Sequence, residues 1–316
     1  MKTIYVGTRQ SALAVTQTGQ AIELLQKACA ERGLDVRFAT KKIVTKGDRI
    51  LDVTLSKVGG KGLFVKELEQ ALYEGEIDIA IHSMKDVPAQ LPDGLVLGAV
   101  LTRADPRDCV ITRDGRPFAE LPQGAKVGTS SLRRSCQLKA SRPDLQLQSI
   151  RGNIDSRLRK LASAGLDAVV LAAAGLIRMG WEDRITERLP VDICLPAVGQ
   201  GALAIECRAD DREMLELLKL VNDQKTQMTV AAERAFLNRL DGGCQIPLGA
   251  FAEFVNDPAS AGNAGAIRLT GMVGAPDGSR MLRESAVGAD PIQLGTILAE
   301  RLIERGADDI LAQVRG

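Results

Sequence analysis

Histidine is almost missing from this sequence: 316 residues contain one, His82. No two-histidine metal site can form, and any Cys–His or Ser–His couple would have to use His82. Acid–base chemistry is therefore expected to rest on a carboxylate. The six cysteines make no C-x-x-C pair and no zinc-type spacing, so no metal is expected. No run of about 18 apolar residues occurs, which leaves no candidate for a membrane-spanning helix. The net charge is only +1, which argues against a general nucleic-acid or membrane-surface binder. A Walker phosphate loop is missing too. Around Gly60 and Lys61 the chain has Leu55 where the pattern needs glycine, and Gly62 where it needs Ser or Thr.

What is present describes a folded enzyme-sized chain. The length predicts two or three domains, and 45% apolar residues suffice for real cores. Sparse cysteines in a long chain read as reduced thiols of a cytoplasmic protein. The start, Met1-Lys2-Thr3-Ile4-Tyr5-Val6, runs into a strand and lacks the pattern of a signal peptide. Lys and Arg number 41, so any anion site must come from local clustering.

Read in order, a strand at 3–7 ends in Val6-Gly7-Thr8 and turns into a helix from Ala12 to Glu31. Such a turn presents backbone N–H groups to an anion. Arg9 sits there, either as a ligand-binding group or as a surface or capping charge. A strand at 35–43 precedes a basic, glycine-rich loop containing Lys57 and Lys61, a candidate lid over an anionic ligand. Ile77, Ile79 and Ile81 alternate along a strand that ends in His82-Ser83-Met84-Lys85-Asp86. Ligands of open α/β sheets bind beyond the carboxyl ends of strands, so Ser83, Lys85 and Asp86 are site candidates. Pairing of Lys85 with Asp86 at the surface is the alternative, and His82 has either a structural or a functional role.

The second half echoes the first. Ala125-Lys126-Val127-Gly128-Thr129 resembles Ile4-Tyr5-Val6-Gly7-Thr8, and Ser130, Ser131, Arg133 and Arg134 follow at the turn into a helix. Two α/β units on one plan suggest a cleft between them. Arg151 precedes Gly152-Asn153, where Asn153 can cap a helix with Ile154, Leu158 and Leu161 on its apolar face. Arg157 then falls beside that face and Arg159 opposite it. Arg178 follows a later strand. So many guanidinium groups at strand–helix junctions point to a ligand with several carboxylates or phosphates. The loop Leu195–Gly201 is expected to cross between domains, and a third unit follows Asp223. In it, Asp241-Gly242-Gly243-Cys244 places a thiol at a loop tip, either as an incidental residue of a tight turn or as an accessible reactive group. The other five cysteines read as small buried hydrophobes. Residues 256–265 read as an exposed loop.

Taken together, these segments resemble the porphobilinogen deaminases, also called hydroxymethylbilane synthases. The match runs nearly end to end: GTRQSALA from Gly7, GDRILDVTLSKVGGKGLF from Gly47, HSMKDVP from His82, GTSSLRRSCQL from Gly128, IRGNIDSRL from Ile150, LAAAGLIRMG from Leu171, LPAVGQGALAIECR from Leu195 and GGCQIPLGA from Gly242. The resemblance implies an α/β protein of three domains. Two are like periplasmic binding proteins and flank a cleft; the third is small, α/β, and carries the cofactor cysteine. The corresponding limits are 1–101 with 202–219, then 107–195, then 224–316.

It implies a transferase that condenses four porphobilinogen molecules head to tail, with loss of ammonia, into the linear tetrapyrrole hydroxymethylbilane. The growing chain is primed by a dipyrromethane cofactor joined as a thioether to Cys244. Lys85, Ser83, Thr129, Ser130, Ser131, Arg133, Arg134 and Arg151 would hold the cofactor. Arg9, Ser11, Arg157, Arg178, Lys57 and Lys61 would hold substrate. Asp86 would be the catalytic carboxylate, stabilising the azafulvene cation left by ammonia loss and moving protons. A monomer is implied, with no nucleic acid or membrane among its partners. The competing reading is a non-catalytic two-lobe binding protein for a polyanionic small molecule. A phosphate-ester enzyme fits less well, given the failed Walker pattern.

Overall fold

The computed structural model describes residues 2–49, 62–241, 246–255 and 265–315. The chain divides into two compact units, Met1–Ala104 with Ala202–Gln227, and Asp105–Gly201 with Met228–Gly316.

In the first unit, β1 (Lys2–Arg9) leads into α1 (Ala12–Glu31). Ser11 caps this helix by accepting a hydrogen bond from Ala14 N at 3.3 Å. Gln17, Ala21, Leu25 and Cys29, four residues apart, form the buried stripe of α1. There follow β2 (Val36–Ile43), a helical turn α2 (Lys46–Arg49), α3 (Lys66–Tyr73), β3 (Ile79–Ser83) and β4 (Leu95–Val100). From the other end of this unit come β10 (Leu203–Arg208) and α7 (Arg212–Leu218). The sheet order is β2-β1-β3-β10-β4, with β10 antiparallel to both its neighbours. The expected alternation along β3 is not what burial follows, because Ile79 through His82 are all buried. Ile79 and Ile81 face one core with α1, and Ala80 faces another with Leu68 and Leu72 of α3. A strand covered on both faces has no polar side to alternate with.

The second unit holds two sheets. One contains β5 (Asp108–Thr112), β6 (Lys126–Gly128), β7 (Gln146–Gln148), β8 (Ala168–Ala172) and β9 (Glu187–Arg188) in the order β7-β6-β8-β5-β9. Its helices are α4 (Leu132–Ser141), α5 (Ile154–Ser163) and α6 (Ala173–Arg178). The plan repeats that of the first sheet: three parallel strands, a fourth antiparallel to them, and a fifth antiparallel to the fourth. The repeat reaches individual side chains. Asp78 accepts from Tyr5 N and Asp167 from Lys126 N, each at 2.8 Å. A Cβ on Gly7 would collide with Ile77, and one on Gly128 would lie 2.8 Å from Leu166 Cδ1. Both glycines let the residue two positions before the neighbouring parallel strand close onto the backbone.

The third sheet is antiparallel, β11 (Leu248–Val255), β12 (Ala266–Gly274) and β13 (Met281–Gly288). It packs with α8 (Gln224–Arg239), α9 (Pro291–Glu304) and α10 (Ala307–Arg315) around Phe236, Leu269 and Leu298. The loop Leu195–Gly201 is stitched to this layer. Pro196 O accepts from Ala250 N at 3.1 Å, and Glu233 of α8 accepts from Gly199 N at 2.6 Å and Ala252 N at 2.9 Å. After α8 the backbone turns left-handed at Asp241, φ 47°, immediately before residue 242. The expected exposed loop at 256–265 lies, except for Gly265, outside the described residues.

Candidate active site

In the first unit, β1 and β3 run parallel, so their carboxyl ends lie on one edge of the sheet. Arg9 and Ser11 follow one strand there; Ser83, Lys85 and Asp86 follow the other. The turn bearing Asp86 is pinned by its neighbours. Gln17 Nε2 donates to Ser83 Oγ at 3.0 Å, and Met84 N donates to Ala202 O at 3.0 Å. Asp86 itself is half-buried and makes no hydrogen bond or ion pair among the described residues. Arg9 already has a counter-ion. Its Nη2 lies 2.5 Å and its Nε 3.2 Å from Asp48 Oδ1, and its guanidinium stacks 4.1 Å from the centre of the Phe64 ring. Burial pushes the Asp48 carboxyl up, but the hydrogen bonds and charge of Arg9, with Thr45, outweigh this and hold it below its ordinary 3.8.

In the second unit, β6 and β8 are also parallel, and the residues after them share an edge. The hydroxyls here are internally engaged. Ser131 caps α4 by accepting from Arg134 N at 3.4 Å, Thr129 Oγ1 accepts from Ser131 N at 3.3 Å, and Ser130 Oγ donates to Ile150 O. Arg133 and Arg134 are buried and converge on Asp108. Arg133 Nη1 donates to Asp108 Oδ2 at 2.6 Å and to Leu195 O at 2.6 Å. Arg134 Nη2 and Nε donate to Asp108 Oδ1 at 2.7 and 3.0 Å, and Nη1 to Val170 O at 2.9 Å. Gln200 Nε2 and the Cys194 thiol complete the shell of Asp108, at 3.0 and 3.2 Å. Burial alone would raise the Asp108 carboxyl, but the two guanidinium groups hold it well below the usual carboxylate range. One carboxylate between two guanidiniums leaves an excess positive charge inside the protein.

The remaining arginines differ in how far they are satisfied. Arg157 is half-buried and its Nε donates to Gly152 O at 2.8 Å, while Arg159 is exposed, as the helical phase predicts. Asn153 stands at the N-cap of α5, but its side chain makes no capping bond. Arg151 has a buried Nε with no hydrogen-bond partner among the described residues. Arg178 donates through Nη2 to Gly201 O at 2.6 Å, and no carboxylate pairs with it among the described residues. Burial without a counter-charge among the described residues pulls its guanidinium down to about 10. A buried guanidinium without an anion and an orphaned N–H are costly in a ligand-free protein. They fit a ligand carrying several carboxylates, as a dipyrromethane with acid side chains does.

Cys244, Lys57 and Lys61 lie outside the described residues. The other five cysteines are free and buried, as their apolar surroundings suggest. No group of three or more metal-ligating side chains occurs among the described residues, and among them no helix is long and apolar enough to cross a membrane. Asp48, Asp108 and Glu206 are not site candidates in the sequence; the first two organise the arginines of these sites, and Glu206 is buried in β10. A signal exists for two of them: Asp108 opens the apolar run Cys109–Ile111, and Glu206 interrupts the apolar run 202–207. An acid in a buried strand needs a partner.

Comparison with known proteins agrees with this picture. Residues 4–216 match the family model described as "Porphobilinogen deaminase, dipyromethane cofactor binding domain", and residues 227–304 match "Porphobilinogen deaminase, C-terminal domain". The porphobilinogen deaminase of Brevibacillus brevis is 58% identical over 309 residues, which cover 98% of this chain and 96% of that protein. That of Halalkalibacterium halodurans is 56% identical over 316 residues, covering 100% and 98%. Among solved structures, the periplasmic aliphatic sulphonate binding protein SsuA from Escherichia coli shares 12% identity at a TM-score of 0.40, covering 75% of this chain and 70% of that one. The reading as a non-catalytic binding protein is not favoured against relatives this similar over their whole length. With both family models accounted for and more than half of all residues shared with whole-length relatives, the chain belongs to the porphobilinogen deaminase family.

Proposed function

We propose that Asp86 is the catalytic carboxylate of this porphobilinogen deaminase, that Cys244 carries its dipyrromethane cofactor, and that the arginines bind the acid side chains of cofactor and substrate. The reaction is that of the family, a transferase step of tetrapyrrole synthesis in which porphobilinogen units are joined with release of ammonia. When bound, the dipyrromethane supplies the pyrrole position to which the first substrate ring is added. The observation that carries the assignment is the carboxylate of Asp86, unpartnered among the described residues, on a turn fixed by Gln17 and Ala202. Such a group is available to accept a proton from a ring carbon and to face the positive charge that ammonia loss leaves on the substrate. Arg151 and Arg178, with Arg133 and Arg134 held on Asp108, form the positive end to which carboxylates are drawn. Arg157, Thr129, Ser130 and Ser131 assist there, and Ser83 and Lys85 assist on the first unit. On the first unit, Arg9 and Ser11 receive substrate, with Lys57 and Lys61.

The test of the arginine reading is Arg178→Gln. Hydrogen bonds to charged groups contribute about 1.5–3 kcal/mol, so kcat/KM for porphobilinogen falls by roughly tenfold to a hundredfold. Thermal stability of the cofactor-free protein holds or rises, because a buried, uncompensated charge has been removed. Unchanged kcat/KM contradicts the role of Arg178. We further propose a cytoplasmic monomer with the domain limits 1–101 with 202–219, 107–195 and 224–316. The net charge of +1 supports a protein that does not bind nucleic acid. The free, buried thiols suit a reducing compartment.

A further inference from the structure

One cluster of titratable groups in the first unit has no part in the site as described. His82 on β3 is 5% exposed, Glu206 on β10 is 1% exposed and Glu69 on α3 is 8% exposed. His82 Nε2 lies 2.8 Å from Glu206 Oε2, so a single proton occupies the line between them, whichever group holds it. The second oxygen of Glu206, Oε1, is buried and without a hydrogen-bond partner among the described residues, and so is Oε1 of Glu69. Burial raises the Glu69 carboxyl and the charge of Glu206 raises it further, as does Glu67, while His82 and Lys66 act in the opposite sense. The same field reaches Tyr73, at the end of α3.

The position of this cluster matters more than its charge. Ala204 pairs with His82 and Leu203 with Ser83, and the ladder continues through Met84 N to Ala202 O into the turn that carries Asp86. His82 is the last fully buried side chain of β3 before that turn departs, and its bond to Glu206 fixes β3 against β10 from inside the protein.

We propose that His82 and Glu206, backed by Glu69, are positioning residues for Asp86: their buried bond sets where β3 delivers the catalytic turn. The proposal rests on Asp86 being the catalytic carboxylate.

The experiment uses holoenzyme whose cofactor load is checked by intact mass, and compares His82→Leu, His82→Gln and Glu206→Gln. Small misplacement of a catalytic group costs up to about a hundredfold, so His82→Leu is expected to lower kcat about tenfold or more, with KM within about twofold. His82→Gln, whose amide can still donate to Glu206, recovers most of that loss. If His82→Leu does not fold, Glu206→Gln carries the same expectation for kcat and KM. In an Asp86→Asn background, single-turnover ammonia release is expected to change less than about twofold on adding His82→Leu, because the positioned group is gone. A normal kcat in folded His82→Leu, equal losses with Leu and Gln, or a full further loss in the double variant overturns the positioning role. Near-normal kcat in Asp86→Asn alone overturns the reading of Asp86 and takes this proposal with it; that outcome is separate from the others.

Discussion

Asp86→Asn is expected to lower kcat by about a hundredfold to ten-thousandfold, the range covered by a positioned acid–base group. The amide is nearly the same size, and Asp86 makes no hydrogen bond or ion pair with the described residues, so no contact among them depends on its charge. Thermal stability should therefore match the parent protein. Among the described residues, two obvious substitutes are ruled out. The one histidine is buried on Glu206, and the second repeat offers no acid at the matching turn, where α6 begins Ala173-Ala174-Gly175. A folded Asp86→Asn variant with near-normal kcat would remove the chemical core of the assignment.

The second large effect is on folding. Asp108 is the only carboxylate among the described residues shared by Arg133 and Arg134, and it also receives Gln200 and Cys194. Asp108→Asn leaves two buried guanidinium groups without a counter-charge. Breaking a buried pair in this way costs about 3–5 kcal/mol, so the urea midpoint of the second unit should drop far below that of the parent. The sign with pH follows from the depressed carboxyl. The stabilisation is fully present above the unfolded value near 3.8 and is lost as acid carries the pH down toward the folded value. The difference between parent and Asp108→Asn should thus be large at neutral pH and shrink in strong acid. Equal urea midpoints at neutral pH would mean that the hub carries little stability.

Much of the scaffold was legible because it is written in local pattern. Ser11 before a four-residue stripe marks α1, and the pair Val6-Gly7-Thr8 and Val127-Gly128-Thr129 marks two copies of one plan. Helical phase also separates half-buried Arg157 from exposed Arg159. What the pattern hides is who partners whom across the chain. Arg133 and Arg134 read as ligand-ready charges, yet their counter-ion Asp108 lies 25 and 26 residues away. Arg9 finds Asp48 across 39 residues, and His82 finds Glu206 across 124. Asn153 shows the same limit at short range: its place at the helix start is local, but whether its side chain caps depends on surroundings that one sequence does not contain. By contrast, Arg178 is informative because it found no carboxylate among the described residues, and the sequence had singled it out only as one arginine among many.

The most direct test of the account is the intact mass of the purified protein beside that of Cys244→Ser. The account predicts an excess over the sequence mass equal to two linked substrate pyrroles, present in the parent and absent from the variant. A parent protein with the bare sequence mass, unchanged after incubation with porphobilinogen, would contradict a covalent primer on Cys244.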